Sequence, residues 1–188
     1  MTMEFVMALF IGIGLSATCG FRVFVPLLGL SIAAHVGQMD LASGFGWIGS
    51  WPATIAFAIA TVIEIGAYFI PWVDNLLDTI ATPAAVVAGT MVTASVIGDV
   101  SPLLRWALAI VAGGGIAGII QSSTVLVRGT STATTGGAAN PAVSAGELGA
   151  SIVGTLISIV VPVVAVLLVA LILFLIMRKI RRLGKQSC

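Results

Sequence analysis

Charge is scarce in this chain. Eight Lys and Arg and seven Asp and Glu stand among 188 residues, 8% in all, where a soluble domain carries about 25%. With 59% hydrophobic residues, the chain has more apolar surface than a core of this size can hide from water. A lipid bilayer accommodates it. The net charge of +1 lacks the basic excess that phosphates demand, which excludes a nucleic-acid partner. One His and two Cys are too few for a His/Cys metal cluster. Cys19 lies in an apolar run and reads as a small buried hydrophobe. Cys188 is terminal, so the pair makes no disulfide framework; it follows a basic juxtamembrane segment, a weak lipidation pattern. Nucleophile elbow, HExxH and phosphate loop are all missing, which weighs against an enzyme and names no cofactor. Met1 to Cys19 has no basic n-region and no A-x-A site, so it reads as a retained first helix rather than a signal peptide.

What is present is a succession of apolar runs. A helical span needs about 20 apolar residues, fewer where neighbours bury it. Candidates run from Phe5 to about Cys19, Phe21 to Val36, Pro52 to Ile70, Thr82-Pro83 to about Ile97, Leu103 to Val127, and Ser144 to about Met177. The expectation is an all-α polytopic transmembrane bundle of about six spans, residues 1–178, followed by a basic tail over 179–188. Two inverted three-helix halves would suit this count, with Gly14-Leu-Ser-Ala17 and Gly115-Ile-Ala-Gly118 as the faint echo. Trp47 and Trp51 suit interfacial anchors. Residues 72–82 read as a short amphipathic helix with Trp72, Leu76, Leu77 and Ile80 on one face. Ser101-Pro102, like Thr82-Pro83, has the grammar of a helix start; Asp99 and Arg105 flank it. Residues 129–146 have no apolar period and read as a flexible low-complexity loop, with Arg128 ending the preceding span. Ser144 and Glu147 form a capping-box pattern for the last helix. Arg178, Lys179, Arg181, Arg182 and Lys185 set that end in the cytoplasm, and an even count brings the N-terminus to the same side. The tail could also meet anionic lipid heads.

An ionisable residue inside a membrane costs about 2.5 to 3.5 kcal/mol on insertion scales and calls for a reason. Arg22 lies in Gly20-Phe-Arg-Val-Phe-Val-Pro26. Gly and Pro around a cation suggest a broken helix aimed at an anion, or a tight hairpin whose Arg snorkels. Glu64 lies about twelve residues into the third span and must be protonated, paired or beside a wet cavity. It reads as a proton or cation site, or as a structural partner of Arg22 or of a neighbouring helix. Asp74 and Asp78, at i and i+4, share a helix face and could hold Mg²⁺ or Ca²⁺. Their DxxxD spacing is similar to one acidic motif of membrane prenyltransferases, but the second motif is missing. The plain alternative is a helix-dipole residue and a solvent-facing one. His35 and the patch Gln121, Ser122, Ser123 and Thr124 are lesser candidates.

Three stretches carry a resemblance: GLSATCGFRVFVPLLGLS (14–31), Glu64 with IPWVDNLLD (70–78), and NPAVSAGE (140–147). Together they resemble the bacterial membrane proteins grouped as domain of unknown function 4126. The resemblance implies a helical membrane architecture and a polar signature of Arg22, Glu64, Pro71, Asp74 and Asp78. It implies no activity.

The leading expectation is a small transporter or channel of the bacterial inner membrane, acting on a small molecule or ion. Arg22 would orient an anionic group, Glu64 would carry a proton or cation, and Asp74 and Asp78 would form the outer mouth. One alternative is a Mg-dependent enzyme acting on a lipid or polyprenyl phosphate through Asp74 and Asp78; another is a non-catalytic subunit or scaffold. Gly114-x-x-x-Gly118 suits a homo-oligomer contact or packing within one subunit.

Overall fold

A computed structural model describes residues 3–70 and 73–186; Pro71, Trp72 and Cys188 lie outside them. Every regular element among the described residues is helical. In chain order these are α1 (Met3–Cys19), α2 (Phe24–His35), α3 (Trp51–Tyr68), α4 (Val73–Val96), α5 (Pro102–Thr135), α6 (Asn140–Val160) and α7 (Pro162–Gln186). Five stretches are long and apolar enough to cross a bilayer: Trp51–Tyr68, Leu76–Val96, Pro102–Thr135, Asn140–Val160 and Pro162–Lys179. The two helices that open the chain are shorter. At 1.5 Å per residue, α2 reaches only about 18 Å, against a hydrocarbon core of about 30 Å.

Several helix ends differ from the sequence expectation, each for a local reason. Thr82-Pro83 is not a start, because α4 runs unbroken from Val73 with Pro83 inside it. Pro83 removes one backbone donor, and Thr82 Oγ1 donates to the Asp78 carbonyl one turn back, 3.2 Å away. Ser101-Pro102 does start a helix: the Ser101 hydroxyl accepts from the Leu104 N–H, just after Asp99 at φ 49°. The 129–146 stretch is mostly helix. The hydroxyls of Thr130, Thr134 and Thr135 bond carbonyls one turn back, and α5 stops only where Gly136 and Gly137 adopt φ 63° and 88°. Helix α6 then begins at Asn140, so Ser144 and Glu147 lie inside it rather than capping it. The last apolar run is two helices, because Val161 leaves the helical region before Pro162.

Helix α1 is the centre of the bundle, packed on α2, α4, α5, α6 and α7. Gly12 faces Thr93 and Val96 while Gly89 faces Ser16, so α1 and α4 are antiparallel. Ser16 donates to the Gly113 carbonyl and Gly20 meets Ile120, so α1 and α5 are parallel. Gly14 faces Ser158 and Thr18 faces Gly154, making α6 antiparallel to α1. The groove lined by Gly14, Ala17 and Phe21 also holds Ala165, Val169 and Ile172, making α7 parallel. The start of α1 and the end of α7 therefore lie at opposite ends of the bundle.

Two hairpins turn inside it. Ser158 and Ala165 both sit beside Gly14, and α1 continues eleven residues beyond that level. The α6–α7 turn thus stops roughly 12 Å short of the α1 start. At the other end Gly20 packs on Ile120, and α5 continues fifteen residues past it, about 22 Å. The α1–α2 turn, which carries Arg22, is therefore enclosed by α3 to α6.

Close helix approach rests on small residues. A Cβ at Gly89 would fall 2.7 Å from both Ala117 Cβ and Ser16 Oγ, whereas one at Gly66 would meet nothing within 4 Å. Gly89→Val should lower stability by about 1–3 kcal/mol, read as a drop in the unfolding midpoint in detergent, with Gly66→Ala at or above wild type. Equal midpoints would refute the α1–α4–α5 contact.

Candidate functional site: a buried ion cluster

The α1–α2 turn, the ends of α3 and α5 and the starts of α4 and α6 converge on six ionisable side chains. Arg22, Arg128, Glu64, Asp74, Asp78 and Glu147 are all buried, both arginines to 1% exposure. Lipid-facing positions close by, such as Leu126 and Val127 on α5 and Leu175 and Met177 on α7, are apolar and exposed. The charges are thus sealed in protein at membrane depth.

Glu147 is the hub. Its Oε2 accepts from Arg22 Nη1 at 2.9 Å, and its Oε1 accepts from Arg128 Nε at 3.2 Å. Arg128 Nη2 also bonds Oε2. Arg22 Nη2 donates to the Ser144 carbonyl at 2.9 Å, and Nη1 to the Phe21 carbonyl at 3.1 Å. Both guanidiniums lie over the ring of Tyr68, the chain's one tyrosine, at 4.1 and 4.0 Å from its centroid. The Tyr68 hydroxyl donates to Asp78 Oδ1 at 3.3 Å, and Arg128 Nη1 is 3.4 Å from the same oxygen.

Glu64 does not pair with Arg22. Its two oxygens accept the backbone N–H groups of Val23 and Phe24 at 2.7 and 3.0 Å. It caps α2 from another helix, satisfying orphan donors at the positive end of the helix dipole. Asp74 accepts from Asn140 Nδ2 at 2.6 Å. Asn140 Nδ2 also donates to Thr132 Oγ1, while its buried Oδ1 has no hydrogen-bond partner.

Arg22, Glu64, Asp74 and Asp78 thus come together in one cluster, and Asp74 and Asp78 lie inside it rather than at a mouth. Among the described residues no group of three or more His, Cys, Asp and Glu could hold a metal ion. Asp78 is engaged by Arg128 and Tyr68, and Asp74 by Asn140. Neither is solvent-facing. In sequence Arg128 reads as a span end and Glu147 as a cap, yet they supply the cluster's centre. The one sequence signal for Tyr68 is its place four residues after Glu64 on the same helix face. The lesser candidates lie elsewhere. His35 Nδ1 is 2.9 Å from the Gly49 carbonyl, at the opposite end, and Thr124 bonds the Gln121 carbonyl within its own helix.

The family model described as Domain of unknown function (DUF4126) matches residues 9–182. The chain belongs to this family. The matched span contains every member of the cluster, so the DUF4126 region is the unit that builds it. No curated protein and no solved structure matches the chain.

An open cavity of about 1040 Å³ lies at the far end, bordered by Glu4, Asp40, Asp99 and Arg105. Leu15, Cys19, Ala88, Val92 and Ala117, all buried, stand between it and the cluster. Breaking the hub should be costly, because two guanidiniums would stay buried without their shared carboxylate. Glu147→Ala should lose about 3–5 kcal/mol, measured by denaturant unfolding in micelles. Adding Arg128→Met should restore part of the loss, a coupling that a double-mutant cycle reads directly. Additive effects would show that the hub is not one unit.

Proposed function

We propose that this DUF4126 protein is a small transporter of the bacterial inner membrane that couples its cargo to a proton or small cation bound at the cluster. The observation that carries this reading is the convergence, among the described residues, of four buried carboxylates on two buried guanidiniums. An acid in such an interior must be paired or protonated, and a cluster this rich in carboxylates is suited to taking up a proton.

Roles follow from partners. Glu64 is held by two N–H groups and supports the broken α1–α2 hairpin. Arg22 and Arg128 are fixed by Glu147 and Tyr68, which makes them counter-charges within the protein more than receptors for an anionic cargo. Asp78, one turn from Asp74 on α4 and in contact with Arg128 and Tyr68, is the group we assign to carry the proton or cation. Arg128 and Tyr68 at Asp78 sense that event directly.

The basic residues Arg178, Lys179 and Arg181 follow the lipid-exposed run of α7 at the cluster's end of the bundle. Positive-inside bias places that end in the cytoplasm. On this reading the start of α1 would lie on the other face, in place of the same-side termini expected from six spans. The far cavity would be the outer vestibule, closed from the cluster by the Leu15–Val92 layer in an occluded state.

A pH jump on a solid-supported membrane carrying oriented proteoliposomes tests the reading without knowledge of the cargo. Wild type should give a transient charge displacement that saturates with pH. Asp78→Asn should reduce its amplitude at least tenfold, and Asp78→Glu should retain it. A wild-type signal no larger than that of empty liposomes, or a folded Asp78→Asn with the full signal, would contradict the proposal and favour a scaffold whose charges only pair helices.

A further inference from the structure

Helix α7 packs on α1 and α6. Between it and α1 and α6 lies an apolar groove of about 190 Å³, bordered by Gly14, Ala17, Gly154, Ala165 and Val169. A second hollow of about 290 Å³ lies further along α7, bordered by Val127, Val143, Gly146 and Ile176. Phe21, Ala150 and Ile172 line both, so the two are one channel along α7. Ala17 and Ala150 give its floor little side-chain bulk, while Gly14 and Gly154 let α1, α6 and α7 approach closely beneath it. Its walls belong to the apolar belt, where Val153, Leu168 and Leu171 are exposed to lipid. Water gains nothing in such a space.

The channel's upper end has a charge. Ile172 and Ile176 face into it, and on a helix of 3.6 residues per turn the next positions on that face are 179 and 180. Lys179 therefore stands at the mouth, with Arg178 and Arg181 beside it, all exposed. Glu147, an acid on the wall, is already neutralised by Arg22 and Arg128. The combination is an apolar slot at acyl-chain depth ending under a cluster of cations at head-group depth.

We propose that this channel binds one anionic phospholipid, its acyl chain lying between α6 and α7 and its phosphate on Lys179 and Arg178. The chain finds no hydrophobic advantage over bulk lipid, so selection rests on the head group, at about fivefold per basic residue. The lipid completes the packing of α7 against the bundle and lies against Glu147, the hub of the ion cluster. The proposal stands apart from the transport reading, because its groups are not those that would carry the proton.

The test uses the whole protein in nanodiscs of phosphatidylcholine with a small fraction of spin-labelled phosphatidylglycerol or spin-labelled phosphatidylcholine. Wild type should show an immobilised phosphatidylglycerol component with at least tenfold preference over phosphatidylcholine. Arg178→Gln with Lys179→Gln should bring that preference close to parity. Ala150→Phe, at an exposed position on the channel floor, should expel the immobilised lipid whatever its head group while leaving the unfolding midpoint near wild type. Equal immobilisation of the two lipids by wild type would overturn the proposal. So would an undiminished phosphatidylglycerol component in both variants, which would assign it to the general annular shell. Loss of the component on adding millimolar inorganic phosphate would also overturn it, since a bound chain should resist competition by a free anion.

Discussion

A guanidinium sealed inside a lipid-embedded bundle must be neutralised where it sits, and here two of them share one carboxylate. Glu147 holds Arg22 from the α1–α2 turn and Arg128 from α5 at once, so a residue of α6 fixes the relative position of three elements. Tyr68 extends the same constraint to α3 by lying under both cations, and Asp78 extends it to α4. Each member reaches the cluster only if its helix has the right depth and rotation. The ions therefore specify the arrangement, whereas the apolar contacts between helices, with lipid as the competing solvent, do so weakly.

The two interior turns follow from that constraint. A hairpin that stops within the bundle exposes backbone groups that cannot meet water, and they must be satisfied by protein. At the α1–α2 turn Glu64 accepts the Val23 and Phe24 N–H groups, and Arg22 covers the Phe21 and Ser144 carbonyls. The same side chains that look costly in a membrane are thus what permit a helix to break there. Among the described residues the α6–α7 turn at the opposite end has no such ionic collar; Val160 and Val161 at its tip are exposed and apolar, which suits contact with hydrocarbon.

Much of this was legible in the residues. The apolar runs and the Ser101-Pro102 start read correctly, because each is a local signal with no competitor. Thr82-Pro83 carries the same dipeptide signal and misleads: the helix-forming residues before it keep α4 going, whereas Gly98 and Asp99 break the chain ahead of Ser101. The 129–146 segment reads as a loop by composition, yet threonines that bond back to their own helix and a late Gly136-Gly137 stop make it helix. That error hid Arg128 and Glu147, for a charge beside an apparent loop looks interfacial. Arg22, Glu64, Asp74 and Asp78 were visible as isolated charges in apolar surroundings, but which pairs with which is a tertiary fact. Periodicity holds no trace of the Arg22–Glu147 contact across 125 positions.

Among the described residues, four carboxylates share one sealed volume with two guanidiniums. If one of those carboxyls holds a proton, the cluster is a reservoir that can load and release charge as the bundle opens. Infrared difference spectroscopy of the lipid-reconstituted protein, with ¹³C-carboxyl-labelled Asp and Glu, measures this directly. The expected result is a protonated-carboxyl band at neutral pH that shifts with the label and loses intensity in Asp78→Asn. A spectrum with no such band, or one whose band is unchanged in Asp78→Asn, would contradict the proton-carrying role of the cluster.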